Sequence, residues 1–340
     1  MKRILALLLA LWIPAAVLSG CAPQDDSAAS NKLNIVTTIF PAYDWVREIL
    51  GDETDRAEIT TLLDSGVDLH SYQPTVDNIV KISECDLFLY VGGESDGWVE
   101  DALKNAPNKD RKVIRLLDVL GDSAKAEETV EGMQEEEHDH EEEEHDHEEE
   151  EHGHEEEAEY DEHIWLSLKN AQVLVAAISE ALQETDPARK DTYAANAAAY
   201  VEKLSALDGE YRAAVDSGKY KTLLFGDRFP FRYLADDYGL DYYAAFPGCS
   251  AETEASFETV SFLAGKMDAL GLPCVLTIEG TQHKIAETIV QNTAQKNQQI
   301  LTMDSMQAVT ANDASSGVSY LSIMEKNLSV LKKALGQEAE

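Results

Sequence analysis

Nine histidines occur in the 340 residues, and they fall into two groups. Six of them, His138, His140, His145, His147, His152 and His154, share one acidic segment, whereas His70, His163 and His283 stand outside it. Each of these three lies at the end of an apolar run or in a short loop ahead of a helix-like pattern. Carboxylates share that placement. Asp304 directly follows the run ending at Met303, and Asp227 follows the one ending at Phe225. Neutral imidazole with carboxylate is the donor set expected for Zn2+, and a larger share of oxygen shifts it toward Mn2+. A lone histidine in a folded domain is more often structural than a ligand. Three of three at such positions, with carboxylates beside them, weaken that bland reading.

The elements that must position these groups alternate between strand-like and helix-like patterns. Leu33 to Ile39, Ala57 to Leu63, Asp86 to Val91 and Val113 to Leu116 read as strands, separated by helices such as Tyr43 to Leu50 and Thr75 to Ser83. A helix from Ser167 to Glu184 is broken at Asp186-Pro187, and a second long helix runs from Arg189 to Asp216. The pattern then restarts with strands Thr222 to Phe225, Leu240 to Ala245, Val275 to Glu279 and Gln299 to Met303, and closes on a helix from Tyr320 to Leu335. Strands at helix-length intervals argue for parallel βαβ units. The expected architecture is therefore α/β: two parallel-sheet lobes, 33–188 and 218–340, joined by one long helix over 189–217. Ligands of open parallel sheets bind beyond the carboxyl ends of the strands, so the metal site is expected in the cleft between the lobes.

Charge is unevenly distributed. The chain carries 65 acidic and 27 basic residues, a net of −38, which argues against nucleic acid as a partner. From Glu127 to Glu162 there are 22 acidic residues and no Lys or Arg, so the remainder has a net of only −16. The stretch 127–160 reads as a disordered acidic His-rich insert in the first lobe, able to collect metal loosely through many shared donors. At the N-terminus, Lys2-Arg3, an apolar run from Ile4 to Val17 and Leu18-Ser19-Gly20-Cys21 read as a signal peptide over 1–20. Residues 21–32 then read as a flexible tether. Of the other cysteines, Cys85 and Cys274 open apolar runs and read as core, whereas Cys249 lies in a Gly-Cys-Ser turn with no assigned role. An odd number left in an exported chain implies no disulfide framework.

Two segments carry a specific resemblance. Gly66-Val67-Asp68-Leu69-His70-Ser71-Tyr72-Gln73-Pro74 and Asp161-Glu162-His163-Ile164-Trp165-Leu166-Ser167-Leu168-Lys169-Asn170 resemble the two histidine motifs of the zinc and manganese solute-binding proteins of ABC importers. In the second, Glu162 and Leu168 replace the family's prolines. Thr37 to Tyr43, Asp86 to Gly93 and Met303-Asp304-Ser305 match as well, so the likeness covers nearly the whole mature chain. Leu-Ser-Gly-Cys21 is similar to the bacterial lipobox, which implies acylation of Cys21.

The resemblance implies a metal site of His70, His163, Asp304 and one further donor. The family places a His or Glu ten residues before the Tyr of a Tyr-Gly-Leu motif. Counting back from Tyr238 gives Arg228, which has no lone pair to offer a metal. His283 is the favoured replacement and Asp227 the second; Arg228 is then expected to pair with Glu279 or Asp227. The implied function is a lipid-anchored, extracytoplasmic, monomeric receptor that captures Zn2+, with Mn2+ as the alternative, and passes it to an ABC permease driven by its ATPase. A zinc buffer or adhesin is a rival of similar fold. A zinc hydrolase, with Glu279 as base, is disfavoured because no HExxH pair or nucleophile elbow is present.

Overall fold

The computed structural model describes residues 32–64, 66–104, 106–134, 159–250, 254–280 and 283–337. The signal segment, Cys21, nearly all of the tether and the six insert histidines lie outside the described residues.

Two four-stranded sheets, each entirely parallel, carry the fold. The first contains β1 (Leu33–Thr37), β2 (Ala57–Thr61), β3 (Leu87–Tyr90) and β4 (Lys112–Arg115) in the order β2-β1-β3-β4. The second contains β5 (Thr222–Phe229), β6 (Asp241–Pro247), β7 (Cys274–Thr277) and β8 (Gln299–Thr302) in the order β6-β5-β7-β8. The same winding is thus used twice. In each sheet the order reverses beside the first strand, and the carboxyl ends there open into a crevice. Strands buried on both faces explain the unbroken apolar runs: Ile35, Val36, Leu87, Phe88 and Leu89, and Val275 and Leu276, are all buried.

The helix Lys190–Ser217 links the halves and, at 28 residues, spans about 42 Å. Tyr193, Ala197, Tyr200, Leu204, Leu207, Tyr211 and Ala214, buried at an alternating three- and four-residue spacing, make one apolar stripe, with Val215 buried at its end. That stripe packs on the helices Leu168–Thr185 and Phe40–Leu50, and Tyr211 Oη donates to Met324 O of the closing helix Tyr320–Ala334. Among the described residues no helix is long and apolar enough to cross a membrane.

Two expectations change. Asp227 and Arg228 lie inside β5 rather than after a strand end, because that strand continues to Phe229 across a register shift between Phe225 and Arg228. Gly226 sits at the irregularity, and a Cβ there would stand 2.7 Å from Ala286 Cα; the close approach of the helix Lys284–Asn292 bends the strand and re-aims the residues that follow. The acidic insert is also narrower than 127–160. Glu127 N donates to Glu159 O and Asp161 N to Lys125 O, while Gln134 N donates to Ala245 O of β6, so both ends of the stretch are built into the fold.

Candidate metal centre

His70 is placed by the loop that follows β2. Asp68 caps the short turn Leu69–Ser71 by accepting from His70 N at 3.0 Å, which fixes the backbone that carries the imidazole. On the ring, Nδ1 lies 2.8 Å from Ser95 Oγ and 3.5 Å from Glu162 Oε2. Ser95 comes from the turn after β3. Its N–H donates to Glu162 Oε1 at 2.8 Å, and Gly93 makes room, since a Cβ there would fall 2.0 Å from that oxygen. Acceptors on the Nδ1 side favour the tautomer with its proton there, turning a lone pair to Nε2.

His163 is fully buried. Asp161 Oδ1 accepts from its main-chain N at 2.8 Å and meets its Nδ1 at 3.0 Å, so one carboxylate oxygen sets both backbone and ring. Next along the chain, Trp165 donates Nε1–H to Ser305 O at 2.8 Å, and its own carbonyl accepts from Tyr320 Oη at 2.7 Å. These bonds tie the second histidine segment to the end of the second sheet.

The result is a pair of imidazoles with Nε2 atoms 3.3 Å apart. Each has a carboxylate behind it, Glu162 for His70 and Asp161 for His163, the arrangement by which outer groups orient metal-binding imidazoles. Two nitrogens each about 2.0–2.1 Å from a tetrahedral zinc stand about 3.3 Å apart. Burial pushes His70 down to about 3, and the neighbouring His163 adds to the effect. Its imidazole is therefore neutral, the form a metal requires. Burial raises Glu162 above the usual carboxylate range despite the bonds from Ser95.

Further groups close on the pair. Gln307 Nε2 lies 3.3 Å from His163 Nε2. Cys249, in the turn after β6, brings its Sγ to within 4.8 Å of ring nitrogens of both histidines. A Cβ on Gly248 would stand 2.9 Å from Phe229 O and 3.2 Å from His163 Nδ1, so the bare glycine lets this turn lie against the ring. Gly248→Ala is accordingly expected to lower zinc affinity by about tenfold, the scale of a disturbed outer group; chelator competition measures it. A cleft of 390 Å3 opens beside the site, lined by His70, Glu94, Glu127, Glu159, Glu162 and Cys249 among others. The two ends of the acidic stretch meet at this mouth through the bridge between Ala126 and Tyr160.

None of the other expected donors joins the His70, His163 and Cys249 group. Asp304 follows β8, its N–H donates to Asn327 Oδ1, and its Oδ1 accepts from Met306 N. Burial and then Glu279 push its carboxyl up to about 6. Glu279 holds the adjacent turn, accepting from Ser305 N, Ser305 Oγ and Gln307 N. His283 stands immediately before the helix Lys284–Asn292, and its buried Nδ1 has no hydrogen-bond partner among the described residues. Asp227 accepts from Arg228 N and Ile278 N. Arg228 pairs with neither Glu279 nor Asp227. Its Nη2 reaches Asp68 Oδ2 at 2.6 Å and its Nη1 donates to Ser250 O at 3.2 Å, because the strand bend aims it at the His70 loop.

Sequence reasoning missed Cys249, Ser95 and Gln307. The one available signal was the position of Cys249 just past an apolar run, the same signal that marked the histidines.

Comparison with known proteins identifies related sequences and folds. Residues 35–334 match the family profile described as ZnuA, zinc-uptake complex component A periplasmic. The chain is 33% identical over 338 residues to the zinc-binding lipoprotein AdcA of Streptococcus pneumoniae, covering 99% of this chain and 62% of that protein. It thus spans about three-fifths of the length of that relative. With the high-affinity zinc uptake system protein ZnuA of Bacillus subtilis it shares 30% identity over 305 residues, covering 90% of this chain and 88% of that one. Among solved structures, the Zn(II)-bound ZnuA-like domain of Streptococcus pneumoniae AdcA superposes with a TM-score of 0.67 at 28% identity, covering 90% of this chain and all of that domain. The periplasmic zinc-binding protein TroA of Treponema pallidum, at 23% identity and a TM-score of 0.69, shares the fold. Matched over nearly all of its two lobes and carrying two oriented imidazoles in the cleft, the chain belongs to the ZnuA family of zinc-uptake complex components.

Proposed function

We propose that the chain is an extracytoplasmic receptor that captures Zn2+ as cargo at the His70–His163 pair and delivers it to an ABC permease. The observation that carries this reading is the 3.3 Å separation of two Nε2 atoms whose rings are oriented from behind, His163 by Asp161 and His70 by Ser95 with Glu162 beyond it. Two imidazoles held this close suit zinc better than manganese, which prefers more oxygen. Capture and release, rather than catalysis, fits a family of solute-binding components.

Of the expected further donors, Asp304 fits the reading best. It stands three residues before Gln307, whose amide occupies the approach to His163, and it faces the like charge of Glu279, a repulsion that a cation relieves. His283 is left outside the proposed set, because it does not join the His70, His163 and Cys249 group. Acylation of Cys21 would hold the receptor at the membrane face, and an ATPase bound to the permease would drive uptake; the lipobox-like sequence supports the former. The acidic stretch, whose ends frame the cleft mouth, would concentrate zinc ahead of the tight site. The receptor is read as a monomer.

Deletion of the gene is expected to slow growth under zinc chelation, with recovery on added zinc and not on added manganese. A strain indifferent to chelation would fit a buffer or an adhesin instead.

A further inference from the structure

The geometry points to Cys249 as a third protein ligand to the captured zinc, an inference that rests on the receptor reading above. Three features converge on its thiol. Its Sγ lies within 4.8 Å of ring nitrogens of both His70 and His163. A thiolate about 2.3 Å from a tetrahedral zinc stands about 3.6 Å from nitrogens bound to the same ion, so a small movement of the turn completes the geometry. Cys249 is also partly exposed at the cleft, unlike Cys85 and Cys274, which are buried.

The turn is held where such a ligand is needed. Gly248 lies against the His163 ring without a side chain. Cys249 N donates to Glu127 Oε1 at 2.9 Å, from the foot of the acidic stretch. Arg228 spans the cleft from Asp68, which caps the His70 turn, to the carbonyl of Ser250. The arginine that cannot bind a metal therefore ties the loop of His70 to the turn of Cys249. A zinc ion entering here displaces the thiol proton to solvent and forms a Zn–S bond, because a metal-bound thiol is deprotonated. Two imidazoles and one thiolate make a donor set markedly more selective for zinc over manganese than imidazole with carboxylate.

Cobalt(II) reports the bond directly. Titrated into the full chain, it is expected to give intense near-ultraviolet thiolate-to-cobalt absorption, absent in Cys249→Ser while that variant still binds cobalt through the histidines. Zinc affinity of Cys249→Ser by chelator competition is expected to fall by roughly ten- to a hundredfold. Zinc is also expected to slow alkylation of Cys249 in the unmutated chain, mapped by mass spectrometry, which tests the contact without any substitution. Cobalt bound with no thiolate band, together with an alkylation rate at Cys249 unchanged by zinc, overturns the assignment and leaves the receptor reading standing. A chain that takes up neither metal tightly overturns both.

Discussion

His163→Ala is expected to lower zinc affinity by about a hundredfold or more, beyond the cost of disturbing an outer partner. The substitution removes one of two nitrogens 3.3 Å apart and leaves Asp161, buried beside it, with no imidazole to orient. Gln307 offers only its amide nitrogen to that position, and beyond His70 and Cys249 no other His, Cys, Asp or Glu joins the group among the described residues. The shift in thermal midpoint on adding zinc provides a second readout. An ion present at a hundred times its Kd stabilises a protein by about 2.7 kcal/mol, and the variant should lose most of that shift. Tight zinc binding retained by His163→Ala would place the cargo elsewhere.

Trp165→Ala is expected to destabilise the metal-free chain by about 3–5 kcal/mol, the usual cost of truncating a fully buried tryptophan. The indole is only 1% exposed, and its Nε1–H is bonded to the Ser305 carbonyl of the second lobe. Truncation thus leaves a cavity and an unsatisfied buried acceptor together, two costs that add. Urea unfolding followed by tryptophan-independent circular dichroism measures the loss. The same change should weaken zinc binding, because the Trp165 and His163 rings are 5.3 Å apart and the indole backs the imidazole. A loss below about 1 kcal/mol would show that the two lobes are held together by the long helix and not through this contact.

The sheets were legible because parallel strands buried on both faces leave short, wholly apolar runs at helix-length intervals, and the long helix because its tyrosines and leucines repeat on one face. His70 and His163 were legible for a related reason: both fall just beyond or between such runs, inside motifs with family-specific neighbours. The middle of β5 was not. A strand that bends at Gly226 because a helix residue 60 positions later, Ala286, presses on it has no local signature, and so Asp227 and Arg228 were assigned to a loop. The partner of Arg228 was hidden for the same reason, since Asp68 is 160 positions away. Glu162 looked like a lost proline, whereas in the fold it backs His70. Cys249 could not be selected over Cys85 or Cys274 until the turn after β6 was placed against His163. The two histidine motifs are local in sequence; the remainder of the cleft site is assembled by tertiary contacts.

One tightly held zinc is expected on the His70–His163 pair, apart from ions gathered loosely by the acidic stretch. Chelator-competition titration of the full chain and of the double variant His70→Ala/His163→Ala, counting ions that resist a strong chelator, tests it most directly. One resistant ion in the unmutated chain and none in the double variant, with weakly held ions unchanged in both, is the expected result. A resistant ion that survives both substitutions would contradict the account.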